Sequence, residues 1–219
     1  MTLASTAPEL DTIYEALKHR ILSGAYKPDH KLSEVPLSRE FTCSRTPIRE
    51  ALKRLETEGL LYIKPKSGTY VRKMSAQQLI ELQEVRTYLE KLAFRLAIKA
   101  VKPEQLTALR EAVATMDKRL NEQPFRAREF SRRHYAFHHT LVQSSANPLL
   151  LQLYDALNLQ YSHLFFEPGN VDLDRVRISN KEHAELLDRL EAGELREGEE
   201  LIDIHLWVKK RILDSVYLA

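Results

Sequence analysis

The chain has 219 residues, 43% of them hydrophobic and 29% charged, which is the make-up of a globular protein of one large or two small domains. No apolar run approaches the roughly 20 residues of a membrane span, Met1 to Leu10 lacks the basic and apolar regions of a signal peptide, and the single Cys43 excludes an internal disulfide, so a reducing cytoplasm is expected. The net charge of +2 is uneven: residues 1–75 hold 13 Lys+Arg and 9 Asp+Glu, hence +4, and residues 76–219 hold the remaining 20 and 22, hence −2. A basic head on a mildly acidic body suits a phosphate-binding unit carried by one that does not touch nucleic acid.

Leu10, Ile13, Leu17 and Ile21 recur at helical spacing, and Gly24 stops the first helix. Tyr26 to His30 reads as a turn. Ser33 can cap a short second helix with Leu37 and Phe41 facing inward. Thr42-Cys43-Ser44 is a tight turn, and a third helix follows, with Thr46 as its cap, Pro47 at its first helical position and Gly59 at its end. Ile48, Ala51, Leu52 and Leu55 share one face, while Arg49 and Lys53 lie opposite. The first turn therefore presents Arg45, Thr46 and Arg49 outward, as a helix entering a DNA major groove requires. Two helices joined by a short turn, the second basic, form a helix-turn-helix. Leu61 to Lys64 and Thr69 to Arg72 are β-prone runs about a Pro65-Lys66-Ser67-Gly68 turn, which makes a hairpin wing whose Lys66 and Gly68 can approach phosphates.

Leu32-Ser33-Glu34, the run Ser44 to Leu52, Arg54-Leu55-Glu56, Glu58-Gly59-Leu60 and Gly68 together resemble the winged-helix signature of GntR-family bacterial transcription regulators over residues 10–74. The resemblance implies that Arg45, Thr46 and Arg49 contact double-stranded DNA, with Gly68 in the wing. Leu37-Ser38, where the family commonly has Leu-Ala, is a departure that touches no contact residue.

From Ser75, a plausible cap, six helices follow with short connections, which makes an antiparallel bundle. The first carries Leu79, Leu82, Val85, Leu89, Leu92, Leu96 and Ile98. Pro103 begins the second and Pro124 ends it. The third spans about 126–145, and Asn147-Pro148 opens the fourth. After a loop at Pro168-Gly169-Asn170 the fifth runs to about Leu190, and the sixth starts near Glu194. The expected architecture is mainly α, with a winged helix-turn-helix in residues 1–74 and an effector-binding and dimerisation bundle in 75–219.

His134 and His138 are four apart and share a helix face, and His183 and His205 lie on the fifth and sixth helices. Imidazole is the commonest metal ligand, and bundles build metal sites from facing helices. The stretches His134 to His138, Asn147 to Leu150, Glu182-His183 and His205 resemble the FCD ligand-binding domain of the FadR branch of GntR regulators, in its shorter, VanR-like form. That resemblance implies a divalent metal held by an Asp and three His, with a carboxylate effector completing its coordination. His138, His183 and His205 match the histidines, and His134 stands where the Asp usually is. Either four imidazoles bind the ion or His134 turns away and three remain. Exchanging a carboxylate for an imidazole favours Zn²⁺ or Ni²⁺, with Co²⁺ and Cu²⁺, over Mg²⁺ or Ca²⁺. His139 points to another face. Arg86 either grips an effector carboxylate or pairs with Glu90 at i,i+4.

The reading is a homodimeric, metabolite-responsive repressor on a palindromic operator, whose bundle binds a transition metal and a small organic acid that changes the distance or angle between the two heads. A metal sensor, with the ion as signal, is the alternative. A metalloenzyme would need a general base beside the metal and leaves the N-terminal unit unexplained. Trp207, two residues past His205, is the one tryptophan and a candidate fluorescent reporter.

Overall fold

The computed structural model describes residues 9–73, 75–161 and 173–217, with side chains of the last helix described through Leu206. The expected loop at 168–170, His163 and the Trp207 side chain lie outside the described residues. The chain divides into two compact units, Met1–Met74 and Ser75–Ala219. Among the described residues no helix is long and apolar enough to cross a membrane.

The N-terminal unit runs α1 (Leu10–Leu22), β1 (Lys31–Leu32), α2 (Glu34–Glu40), α3 (Arg45–Thr57), β2 (Leu61–Lys64) and β3 (Gly68–Val71). Ile13, Leu17 and Ile21 of α1, Leu37 of α2, and Ile48, Ala51, Leu52 and Leu55 of α3 close one core with Leu60, Leu61 and Val71. The apolar periodicity thus decides which face of each helix is buried. α3 starts two residues earlier than expected, at Arg45 with Ser44 as N-cap, so Thr46 and Pro47 lie inside the first turn and Thr46 does not cap it. Gly59 adopts φ 77°, the left-handed conformation that turns the chain from α3 into the wing. At the same end of α3, Tyr14 donates to Glu58, and Lys18 reaches the Tyr14 hydroxyl at 2.6 Å and Glu58 at 3.0 Å. Arg54 lies 3.7 Å over the Tyr14 ring, so polar groups as well as the core tie α1 to α3.

The wing is a β2–β3 hairpin in which Leu61 pairs with Val71 and Lys64 with Gly68. The sequence reading missed β1, which pairs with the far side of β3 through Lys31–Tyr70 and Leu32–Thr69 and makes a three-stranded sheet of order β1-β3-β2. Two residues are too short for a period-two pattern to register.

Among the described residues the C-terminal unit has six helices: α4 (Ala76–Ala100), α5 (Pro103–Leu120), α6 (Ala127–Gln143), α7 (Pro148–Tyr161), α8 (Leu173–Ala192) and α9 (Leu195–Tyr217). Ser75 caps α4 through a reciprocal capping box with Gln78, and Pro103 occupies the first turn of α5. Phe94 and Ala97 of α4, Leu109 and Met116 of α5, Phe130, Phe137 and Leu141 of α6, Leu186, Leu187 and Leu190 of α8 and Ile202 and Leu206 of α9 form the main core.

α4 packs closely against α9 at Gly198, where an added Cβ would lie 2.2 Å from Cε1 and Cζ of the fully buried Phe94. Alanine is the better helix former by up to about 1 kcal/mol, so helix propensity alone predicts that Gly198→Ala stabilises. Overpacking against this buried ring should instead destabilise by about 1–3 kcal/mol. Urea unfolding gives the sign, and a raised midpoint would refute the close approach.

Candidate metal centre and DNA-binding surface

Each bundle helix is amphipathic, and packing its apolar stripe inward carries the histidines on that stripe with it. α6 delivers His134 and His138, α8 His183, and α9 His205. His138 and His183 are fully buried, His205 is 3% exposed and His134 is half-buried. The Nε2 of His138 lies 3.3 Å from that of His134, 3.1 Å from that of His183 and 3.4 Å from that of His205, and the His183–His205 separation is 3.1 Å. One ligand nitrogen from each residue falls within 4.8 Å of all the others. Of the two arrangements open to His134 in the sequence, the structure has it turned inward.

This donor set suits a metal. Zn–N bonds of about 2.0–2.1 Å put neighbouring ligands on one ion roughly 2.9–3.4 Å apart, across octahedral to tetrahedral angles. Those four nitrogen separations fall in that range. Four imidazoles without a carboxylate suit Zn²⁺, Ni²⁺, Co²⁺ or Cu²⁺.

Two carboxylates stand behind the histidines. Glu90 Oε2 lies 2.8 Å from His138 Nδ1, and Glu182 Oε2 lies 2.7 Å from His205 Nδ1. Glu182 accepts from both Nη atoms of Arg175 at 3.1 and 3.2 Å. Glu90 accepts from Arg86 Nε at 2.7 Å and from the Tyr154 hydroxyl at 2.9 Å. Arg86 therefore forms the i,i+4 ion pair with Glu90, 3% exposed, and sits one layer behind the histidines. Glu90 was visible in the sequence only as a possible partner of Arg86, and Tyr154 carried no signal of its own, since Glu90 meets His138 and Tyr154 only through folding. Glu182 was visible as the neighbour of His183. His139 turns away to Asp155, its Nε2 3.2 Å from Oδ1.

In the N-terminal unit, Arg45, Thr46, Arg49 and Lys53 are all exposed on α3, opposite its buried face. Arg49 is already oriented: its Nε and Nη2 donate to the two oxygens of Glu34 at 2.8 and 2.9 Å. The hydrogen bonds from Arg49, with Arg45 nearby, hold the Glu34 carboxyl below the ordinary carboxylate range. This pairing uses one edge of the guanidinium and leaves the Nη1 end of the fork pointing elsewhere.

At the tip of the wing, Lys66 is exposed with φ 61°. Gly68 has φ 138°, and a Cβ there would lie 2.8 Å from Cε of Lys31, so the Lys31 stem crosses directly over it. Lys31 joins the wing only through β1 and was missed with it.

Two family models match the chain: bacterial regulatory proteins of the gntR family over residues 10–71, and the FCD domain over residues 81–207. The HTH-type transcriptional regulator YdhC of Bacillus subtilis is 33% identical over 145 residues, which are 66% of this chain and 64% of that relative, so the match spans just under two thirds of it. The Nta operon transcriptional regulator of Aminobacter aminovorans is 30% identical over 165 residues, 75% of each protein. The solved structure of McbR/YncC from Escherichia coli superposes with a TM-score of 0.80 at 23% identity, covering 97% of this chain and all of the other, and shows the same fold.

Proposed function

Since the chain belongs to the GntR family of bacterial regulatory proteins, is a DNA-binding transcription regulator and carries an FCD domain as its C-terminal unit, we propose that it is a metabolite-responsive repressor controlled through a metal held by His134, His138, His183 and His205. The observation that carries this reading is the convergence of four Nε2 atoms from three helices in the core of the bundle. Zn²⁺ or Ni²⁺ is the expected ion, and bound there it supplies a positive charge that attracts an anion.

A small carboxylate is the effector class that such a charge selects. Its binding shifts the helices that carry the ligands, and operator affinity changes by the effector's differential affinity for the two states. Two copies of the chain would read a palindromic operator, because a two-fold dimer matches a two-fold site. Arg45, Thr46 and Arg49 would meet base edges and phosphates, with Lys53, Lys66 and Gly68 against the backbone.

Elemental analysis of the untagged protein after dialysis against a weak chelator tests the metal; about one equivalent per chain is expected. Titration of an operator, selected from random duplexes, with and without a panel of organic acids tests the effector. No shift across the panel would count against the metabolite reading. The inward His134 favours a second reading, in which the ion itself is the signal, because a fourth protein ligand leaves fewer positions for an effector. Operator affinity would then track free metal with no acid present.

Lys66 at the wing tip provides a separate check. Lys66→Ala should make the slope of log K against log salt shallower by about 0.9 while leaving the preference between sequences intact. An unchanged slope would remove Lys66 from the interface.

A further inference from the structure

Resting on the metal reading above, we infer that Arg86, Glu90 and Tyr154 form a positioning unit that fixes the tautomer of His138, so that its Nε2 lone pair faces the metal centre. All four residues are buried: Glu90, Tyr154 and His138 completely and Arg86 to 3% exposure. Oε1 of Glu90 takes two donors, Arg86 Nε at 2.7 Å and the Tyr154 hydroxyl at 2.9 Å. Oε2 is left for His138 Nδ1 at 2.8 Å.

A carboxylate only accepts, so Nδ1 of His138 carries the proton and Nε2 the lone pair. That lone pair points to where the Nε2 atoms of His134, His183 and His205 lie at 3.3, 3.1 and 3.4 Å. Arg86 makes the arrangement one-way. A guanidinium donates and never accepts, and it does not lose its proton. Its face also lies toward the Tyr154 ring, Cζ 5.9 Å from the centroid, so the two donors are held together on one side of Glu90.

An isosteric change tests this. In Glu90→Gln the single amide oxygen must face Arg86 and Tyr154, because Arg86 cannot accept from an amide nitrogen. The NH₂ then faces His138 Nδ1, which has to accept. The ring proton moves to Nε2, and the metal loses that ligand. Metal affinity, measured by competition with a chromophoric chelator, should fall about 10- to 100-fold. The double variant Arg86→Gln/Glu90→Gln should recover most of it, since the amide at 86 can accept and lets the amide at 90 turn its oxygen back to His138.

Histidine ¹⁵N correlation spectra of the metal-free protein read the tautomer directly. His138 should carry its proton on Nδ1 in the wild type and in the double variant, and on Nε2 in Glu90→Gln. Wild-type affinity in Glu90→Gln, or a tautomer that does not change, would overturn the inference. So would a loss of metal that the double variant fails to restore, which would mark Glu90 as a packing group. The tautomer of the metal-free wild type also separates the two proposals. A wild type that takes up no metal but holds the proton on Nδ1 refutes the metal reading alone, and one that takes up metal but, when metal-free, holds the proton on Nε2 refutes this inference alone.

Discussion

His138→Ala should reduce bound Zn or Ni from about one per chain to background, the largest single-site effect expected in this protein. The residue is fully buried, and its Nε2 lies 3.1–3.4 Å from the other three imidazoles, so its loss opens the centre on the side shared by all of them. The substitution also takes a donor from Glu90 Oε2, a buried carboxylate oxygen, which should lower the stability of the metal-free protein by about 1–3 kcal/mol.

Two measurements separate these effects. Elemental analysis gives occupancy. Thermal unfolding with and without metal gives linkage, where a ligand at a hundred times its Kd stabilises by about 2.7 kcal/mol. Wild type should melt higher when metal is added, and His138→Ala should not respond. His139→Ala is the neighbouring control: its ring faces Asp155, so it should keep both the metal and the metal-dependent rise in Tm. Undiminished metal in His138→Ala would sink the assignment.

Removing both arginines from the first turn of α3 should have the next largest effect. A good bidentate contact to a base contributes about 1–3 kcal/mol of discrimination, so Arg45→Ala/Arg49→Ala should weaken operator binding by about 2–6 kcal/mol, on the order of 30- to 10,000-fold. Both side chains are exposed on the face opposite the core, so the unfolding transition should move little.

Loss of Arg49 has a second consequence. Its partner Glu34, bonded through both oxygens, would be left without that counter-charge beside a polyanion. The Arg49→Ala single variant should therefore lose more affinity than Arg45→Ala. Fluorescence anisotropy on selected and scrambled duplexes would separate a loss of specific contacts from a general loss of charge. A double variant within twofold of wild type on the selected duplex would exclude these residues from the interface.

The features legible in the sequence are those whose cause lies within a few residues. The apolar stripe of α3, its Gly59 terminus, the Ser75 cap and Pro103 at the start of α5 each depend on a helix's own period and its own unpaired backbone groups. The pair His134 and His138 was equally visible, because i and i+4 share a face in any helix. The cap of α3 was misplaced by two residues, since Ser44 and Thr46 are both chemically able to fill that role and only the backbone at Ser44 is extended. β1 was missed because a two-residue strand owes its existence to the edge of β3 and carries no pattern of its own.

The sequence by itself determined the winged head, the helical body, the faces that would be buried and the residue types able to bind DNA or metal. Tertiary structure alone decided which of those residues meet. His138 finds Glu90, 48 positions earlier, and His183, 45 positions later, because α4, α6 and α8 pack their apolar stripes together. The same packing commits Arg86 to Glu90 and turns His134 inward, two choices that the sequence left open. On α2 and α3 it aims Arg49 through Glu34, and through β1 it lays Lys31 across the wing. The physical reason is one of range. Helical period, caps and turns arise from short stretches of backbone, whereas a polar side chain's partner is set by how distant helices dock, and that is governed by the shape of a shared core.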